Sequence, residues 1–287
     1  MKISLAILPC LAATLLQAQT DESSTLSVQS GVRPFGLDIV APVQRAASDS
    51  ASASFQANTL PELNALIDQS LGESQNVQNL SSITLDPSKL VLQNDASVRV
   101  YFVGEGAGYH NTLGFNTEGP GIDSGNPQLI FPDASSVDSY YNSGISNESG
   151  DGRRPWAPLL PGDFVELGTL EAGTKLDFFL LANGAYGGST LWSTDESVNA
   201  DGLVHTVSLA QSGSPYLLIG FEDLYWGGDN DYNDLLFAVD IGVANVSYLA
   251  NPEPSTWLIM GAFFGVVWAL ARRQRADSAG TTSQVAA

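Results

Sequence analysis

The chain has 287 residues, 44% of them apolar, which is enough for the core of one large domain or two small ones. Its formal net charge of −20 excludes nucleic acid as a partner, because a phosphate-binding surface needs clustered Lys and Arg. Charged residues make up only 15% of the chain and Gly is frequent, a composition typical of exported β-rich proteins.

The N-terminus has the pattern of a secretory signal peptide over residues 1–18. Lys2 precedes an uncharged apolar run that ends in small residues at Ala18, the expected cleavage point. Cys10 lies inside this segment and is the only cysteine of the chain. We therefore expect a mature protein without disulfide bonds or a Cys-ligated zinc site, stabilised by packing, hydrogen bonds or a hard metal ion.

Residues 19–85 are predicted to form a linker or arm that carries one helix. The part 19–58 is rich in Ser, Ala and Gln and lacks a sustained hydrophobic period. Thr59 and Glu62 then have the spacing of a capping box and precede an amphipathic run. We expect a short helix over 59–72 that packs on the following domain.

Residues 86–242 consist of short β-type runs separated by Gly, Asn and Pro, which predicts an all-β fold. Since no helical period interrupts them, an antiparallel β-sandwich or jelly-roll-like domain is expected. The predicted strands are 98–103, 128–131, 163–167, 176–181, 203–209, 216–221 and 235–241. Residues 243–251 are predicted to be a linker.

Three further elements follow one another in residues 252–276. They are the tripeptide Pro252-Glu253-Pro254, the uncharged stretch 257–271, and a basic group that includes Arg272 and Arg273. As a helix, fifteen residues would span roughly 22 Å, shorter than the ~30 Å hydrocarbon core, although flanking residues extend it. The basic group would keep the tail 277–287 on the cytoplasmic side of a membrane. A single-pass membrane anchor is one interpretation.

The same tail resembles the PEP-CTERM sorting signal of Gram-negative bacteria. The resemblance implies that an exosortase, a membrane-embedded transpeptidase, recognises the tripeptide, removes the membrane helix and passes the protein to the cell surface or extracellular matrix. Export machinery, exosortase and, transiently, the inner membrane are therefore the expected partners. The signal indicates a destination and not an activity.

The stretch 222–240 gathers six acidic residues and two Asn without any Lys or Arg. Carboxylates beside a buried strand repel one another unless a cation compensates their charge. Ca²⁺ accepts six to eight oxygen ligands from carboxylates, amide side chains and backbone carbonyls. The stretch therefore predicts a structural calcium site, while a solvated acidic loop remains the simplest alternative.

The spacing of Asp229, Asp231 and Asn233 is that of an EF-hand loop, and Asp240 stands at its twelfth position. Asp234, however, occupies the position that an EF-hand gives to Gly, and no amphipathic helix flanks the loop. We therefore expect a loop that clips two strands together, and not an EF-hand.

The predicted calcium ligands lie in two segments. They are Glu105, Glu222, Asp223, Asp229, Asp231, Asn233 and Asp234. Glu105 is included because it follows the first strand, which we expect to neighbour the last one.

Two other interpretations concern catalysis and sugar binding. Glu222 with a nearby Asp could serve as the carboxylate pair of a secreted, glycosidase-like hydrolase. Trp156, Trp192 and Trp226 could form a platform for stacking sugars, or could be local core.

Three motifs in order carry a second resemblance. They are E-G-A-G-Y-x-N from Glu105 to Asn111, a Gly-rich centre, and a closing F-E-D…G-D-x-D-Y-N-D that ends at Asp234. Over residues 86–242 the chain resembles the domain of unknown function 4114 family, which occurs on exported bacterial surface proteins and has no established activity. We expect a non-enzymatic surface or matrix protein with a Ca²⁺ site, an adhesin or a module that binds extracellular polysaccharide. The alternative is the secreted hydrolase.

Overall fold

The computed structural model describes residues 27–71, 90–138, 152–210 and 213–250. The predicted signal peptide with Ala18, the sorting signal 252–276 with its helix 257–271, and the tail 277–287 lie outside these ranges. Within the described ranges, no helix combines the length and the apolar character needed to cross a bilayer.

Within the described ranges, nine strands form two antiparallel sheets, which confirms the expectation of a mostly β fold. The strands are β1 Ala96–Gly104, β2 Thr112–Asn116, β3 Gln128–Phe131, β4 Phe164–Leu170, β5 Asp177–Ala182, β6 Thr190–Ser193, β7 Thr206–Ala210, β8 Tyr216–Phe221 and β9 Leu235–Asp240. One sheet has the order β4-β1-β9-β8-β7 and the other β3-β2-β5-β6. The predicted adjacency of the first and last strands is also confirmed, because β1 pairs with β9.

The core lies where side chains from both sheets meet in one apolar cluster. Alternation along β1 decides which residues take part: Val98, Val100 and Phe102 belong to this cluster. Tyr101 and Val103 point to the other face of the sheet and join a second cluster. Both faces of the five-stranded sheet are therefore covered, which explains why β9 is apolar along nearly its whole length.

A continuous helical segment, α1 (residues 50–70), covers the second face of the five-stranded sheet. Phe55 is fully buried there and stacks on Tyr101 with ring centroids 3.8 Å apart. The helix begins nine residues before the predicted 59–72 helix, because Asp49 and Ser52 form a reciprocal capping box. The predicted cap at Thr59 is wrong: this residue lies in a π-turn, Phe55–Thr59, and its side chain makes no capping hydrogen bond.

The described part of the predicted arm, residues 27–49, packs against both sheets instead of forming a linker. Val28 and Val43 are buried in the shared core. Gln44 pairs with Phe164 of β4, and Ile39 pairs with Leu129 of β3. Isolated apolar residues without a period carry this packing, so the sequence pattern does not show it.

The predicted linker 243–251 is also corrected, since Val243–Ala250 forms a helix, α2. Val246 and Leu249 are buried in the shared core. The Asn245 side chain accepts hydrogen bonds from the backbone amides of Gln93 and Asn94, at 2.8 and 3.0 Å. Burial on one side stabilises this short helix, which has little stability on its own.

Candidate metal centre

The acidic loop, residues 222–234, joins β8 to β9 in the five-stranded sheet. Trp226, Asn230 and Tyr232 have positive φ angles of 66°, 59° and 56°, and Gly227 and Gly228 add two more. Such a concentration of left-handed residues costs conformational energy and is found chiefly where a site needs a particular backbone shape. The loop therefore folds tightly back over the end of β8.

Three carboxylates converge at the end of β8. Oxygen atoms of Glu222, Asp229 and Asp231 all lie within 4.8 Å of one another. Two oxygens on opposite sides of a Ca²⁺ ion are separated by about 4.6–5.2 Å, because each lies ~2.3–2.6 Å from the ion. The spacing of the three carboxylates therefore fits a single ion between them.

Glu222 is the most constrained of these three carboxylates, since it is fully buried. Its Oε1 accepts hydrogen bonds from the backbone amides of Asp231, at 2.8 Å, and Tyr232, at 3.0 Å. Its Oε2 is buried without a hydrogen-bond partner among the described residues. Burial, together with the charges of Asp231 and Asp229, raises the pKa of Glu222 to about 7. A buried oxygen without a donor is what a bound cation would satisfy.

Asp231 and Asn233 are buried next to each other and are joined by hydrogen bonds. The Asp231 carboxylate accepts hydrogen bonds from the backbone amide of Asn233 at 3.3 Å and from its side-chain nitrogen at 2.9 Å. The Asn233 carbonyl accepts from the backbone of Gly106 at 2.9 Å. A side chain at Gly106 would stand only 2.5 Å from Asn233 Oδ1, so glycine permits this close approach.

Asp223 and Asp234 form an adjoining pair of acids. The Asp223 backbone amide donates to Asp234 Oδ2 at 2.8 Å, and Asn111 Nδ2 donates to Asp223 Oδ2 at 2.7 Å. Burial and the neighbouring charges of Asp223 and Glu222 raise the pKa of Asp234 to about 9. Burial likewise raises the pKa of Asp223. The pair thus places two more carboxylates beside the first three.

All the predicted ligands from the acidic loop line one cavity of about 420 Å³, with Gly106, Gly108, Tyr109 and Leu224. They are Glu222, Asp223, Asp229, Asp231, Asn233 and Asp234. We call this space the acidic cavity. Asp240 is not among its lining residues and lies at the opposite end of β9, so the EF-hand numbering does not describe the site.

Glu105, the remaining predicted ligand, lies in a neighbouring cavity that shares Gly106 and Asn233 with the acidic cavity. Its Oε1 accepts a hydrogen bond from the backbone amide of Ser136 at 3.1 Å. It is not one of the three carboxylates that lie within 4.8 Å of one another. The segment that begins at Glu105 therefore lines the acidic cavity with Gly106 and Gly108, while Glu105 itself lines the neighbouring cavity.

Three residues, His205, Asp201 and Trp192, support the loop from behind, and sequence reasoning did not find their role. His205 is fully buried, with Nε2 3.0 Å from Asp201 and Nδ1 3.3 Å from the Glu222 carbonyl oxygen. Asp201 also accepts a hydrogen bond from the Trp226 backbone amide at 2.9 Å. These contacts come from 17 to 25 residues away in sequence, so no spacing pattern reveals them.

Trp192 completes this support and does not form a sugar platform. Its ring is fully buried and stacks on His205 with centroids 3.7 Å apart. Its indole nitrogen donates to the Asp223 carbonyl oxygen at 2.8 Å. Trp156 and Trp226 remain partly or largely exposed, at 38% and 72%.

Comparison with known proteins gives a match over only part of this chain. No curated protein and no solved structure matches it. A family model described as Domain of unknown function (DUF4114) matches residues 170–242, which include strands β5 to β9 and the whole acidic loop. The expected resemblance is thus confirmed over these residues, and the chain is similar to that family there.

Proposed function

We propose that this chain is an exported, exosortase-processed surface or matrix protein whose β-sandwich domain is stabilised by a structural Ca²⁺ ion. The observation that carries the calcium site is the buried Glu222 Oε2, which has no donor among the described residues and belongs to three converging carboxylates. The export part rests on the two terminal sequence patterns and on the family match.

The chemistry of the donors selects a hard cation. The acidic cavity offers carboxylate and amide oxygens and has no His or Cys among its lining residues. Oxygen ligands in large number suit Ca²⁺, whereas zinc and copper sites use nitrogen and sulfur. Mg²⁺ demands a stricter octahedron and retains more of its water. Calcium is therefore the ion that this site fits best.

The hydrolase alternative fits the geometry of Glu222 less well. A glycosidic acid or nucleophile must reach the substrate, and Glu222 is fully buried with Oε1 held by two backbone amides. The same burial suits a residue that fixes an ion from the inner side of a loop. The proposed role is stabilisation of the exported domain without catalysis.

The test is thermal unfolding of the full chain in EGTA, in CaCl₂ and in MgCl₂. Extracellular calcium modules have dissociation constants of about 10⁻⁴–10⁻³ M. At ten times that constant, binding stabilises the native state by about 1.4 kcal/mol. For a domain of this size, this corresponds to a rise in Tm of roughly 3–6 °C.

A matched control is Glu171→Gln, which removes one exposed carboxylate that does not line the acidic cavity. This variant should keep the full calcium response. Equal melting temperatures of the wild type in EGTA and in CaCl₂ would favour a solvated acidic loop and refute the calcium site.

A further inference from the structure

A further cavity, distinct from the one that Glu105 lines, opens beside the acidic cavity and shares a wall with it. It has a volume of about 310 Å³, and Tyr109, Asp223 and Leu224 line both spaces. We call it the aromatic cavity. Its volume is at the lower end of the ~300–1,000 Å³ range of small-molecule sites, so it suits a short stretch of a longer chain.

The wall of the aromatic cavity is apolar, exposed and held in position. Tyr109, Leu224 and Tyr225 are 43%, 47% and 50% exposed. The Tyr225 ring packs edge-on against the buried Trp192, with centroids 4.9 Å apart and an angle of 82° between the planes. A ring that is fixed on one side and open on another is preorganised for stacking, because little side-chain entropy is lost when a ligand binds.

Polar groups on the opposite part of the lining belong to Asn183, Ser189 and Thr190. The Asn183 side-chain oxygen accepts a hydrogen bond from the backbone amide of His110 at 3.1 Å. The Asn183 amide nitrogen and the hydroxyls of Ser189 and Thr190 have no partner within the described ranges. They offer neutral donors and acceptors to a ligand.

The charge of the lining indicates which ligands fit. Neither cavity has Lys, Arg or His among its lining residues, and Asp223 contributes a carboxylate to both. An anionic polymer would therefore meet only like charge in a chain of net charge −20. A neutral sugar presents an apolar ring face to an aromatic residue and hydroxyl groups to amides and hydroxyls.

We propose that the aromatic cavity binds a neutral polysaccharide, with Tyr225 stacking on a sugar ring. This inference rests on the proposed function, because the acidic loop that carries Leu224 and Tyr225 is the loop that calcium would fix. Binding should therefore require Ca²⁺. Asn183, Ser189 and Thr190 hydrogen-bond the sugar hydroxyls and determine which sugar is accepted.

The test is affinity electrophoresis of the full chain with CaCl₂ in gels that contain dextran, xylan, galactomannan or mixed-linkage β-glucan. Gels with alginate serve as the charged comparison. We expect at least one neutral polysaccharide to retard the wild type. Tyr225→Ala should weaken that binding about tenfold, the scale of one lost aromatic contact, while its calcium-induced rise in Tm is unchanged.

Two further variants keep the test decisive. Thr190→Val removes one hydroxyl at nearly constant shape and should also weaken retardation, which covers the case in which Tyr225→Ala fails to fold. Phe35→Ala removes an aromatic side chain that is 57% exposed and lines neither cavity, and it should bind like the wild type.

Four outcomes would overturn the inference. They are no retardation by any neutral polysaccharide, preference for alginate, wild-type binding by both Tyr225→Ala and Thr190→Val, and binding that persists in EGTA. If the calcium-induced rise in Tm is present in any of these cases, the proposed calcium site stands and the saccharide proposal alone fails.

Discussion

Glu222→Gln should stabilise the metal-free protein and abolish its response to calcium. Gln has the shape of Glu, so its side-chain oxygen can still accept hydrogen bonds from the backbone amides of Asp231 and Tyr232. Its amide nitrogen would replace Oε2, the buried oxygen without a donor, and face the carboxylates of Asp229 and Asp231. The substitution thus removes a buried charge and supplies a donor to two acids.

The magnitude follows from the pKa of Glu222. In the folded, metal-free protein this pKa is raised from 4.5 to about 7, so its contribution to stability is fully present below pH 4.5 and is lost as the pH rises through 7. A tenfold difference in proton affinity between the folded and unfolded states is worth about 1.4 kcal/mol. At pH 8 the ionised Glu222 therefore lowers the free energy of unfolding of the metal-free protein by roughly 3 kcal/mol. Gln does not ionise, so the variant has no such penalty.

The assay is thermal or urea unfolding of the wild type and the variant at pH 5 and pH 8. In EGTA at pH 8 the variant should be the more stable protein, by up to roughly 3 kcal/mol, and this advantage should shrink at pH 5. In CaCl₂ the wild type should gain stability and the variant should not. A variant that is no more stable than the wild type in EGTA at pH 8, or that keeps the full calcium response, would refute the reasoning.

Two other predictions concern the loop backbone and the sorting signal. Gly228→Ala should lower the free energy of unfolding by about 1–3 kcal/mol and abolish the calcium-induced rise in Tm, because φ is +48° and the new Cβ would lie 2.4 Å from Glu222 Oε2. Gly173→Ala is the control, because Gly173 has φ +89° and an added Cβ there would have no atom within 4 Å. This variant should show the backbone strain alone and keep the calcium response. Replacing Glu253 by Ala should leave the protein in the membrane fraction of the native cell, as followed by immunoblotting. Wild-type release of that variant to the cell surface would contradict exosortase processing.

Sequence patterns predicted the strands well where burial is periodic or continuous. β3 and β8 have the predicted bounds, and β1 differs by only two residues at its start and one at its end. β2 and β6 were missed because both are short. β2 contains Gly114 and Asn116, and β6 begins and ends with hydroxyl side chains. Such strands exist because neighbouring strands pair with them, and that information is not local.

The candidate site also has parts that local sequence patterns predict and parts that depend on strand pairing. The spacing of Asp229, Asp231 and Asn233 is a local property, and all three line the acidic cavity. The placement of His205 behind Glu222 depends on the pairing of β7 with β8, which no local pattern encodes. Sequence reasoning could therefore predict which acidic-loop residues line the cavity, but not the residues that hold them in position.

The segment 27–49 also bears on whether copies of the domain can associate through their sheets. Gln44 and Ile39 each make one isolated bridge, to the outer edges of β4 and β3, which are edge strands of the two sheets. Open strand edges are templates on which neighbouring copies can pair and aggregate. A chain shortened to begin after residue 49 would leave these two edge positions unpaired, so we expect it to self-associate more readily than the full chain.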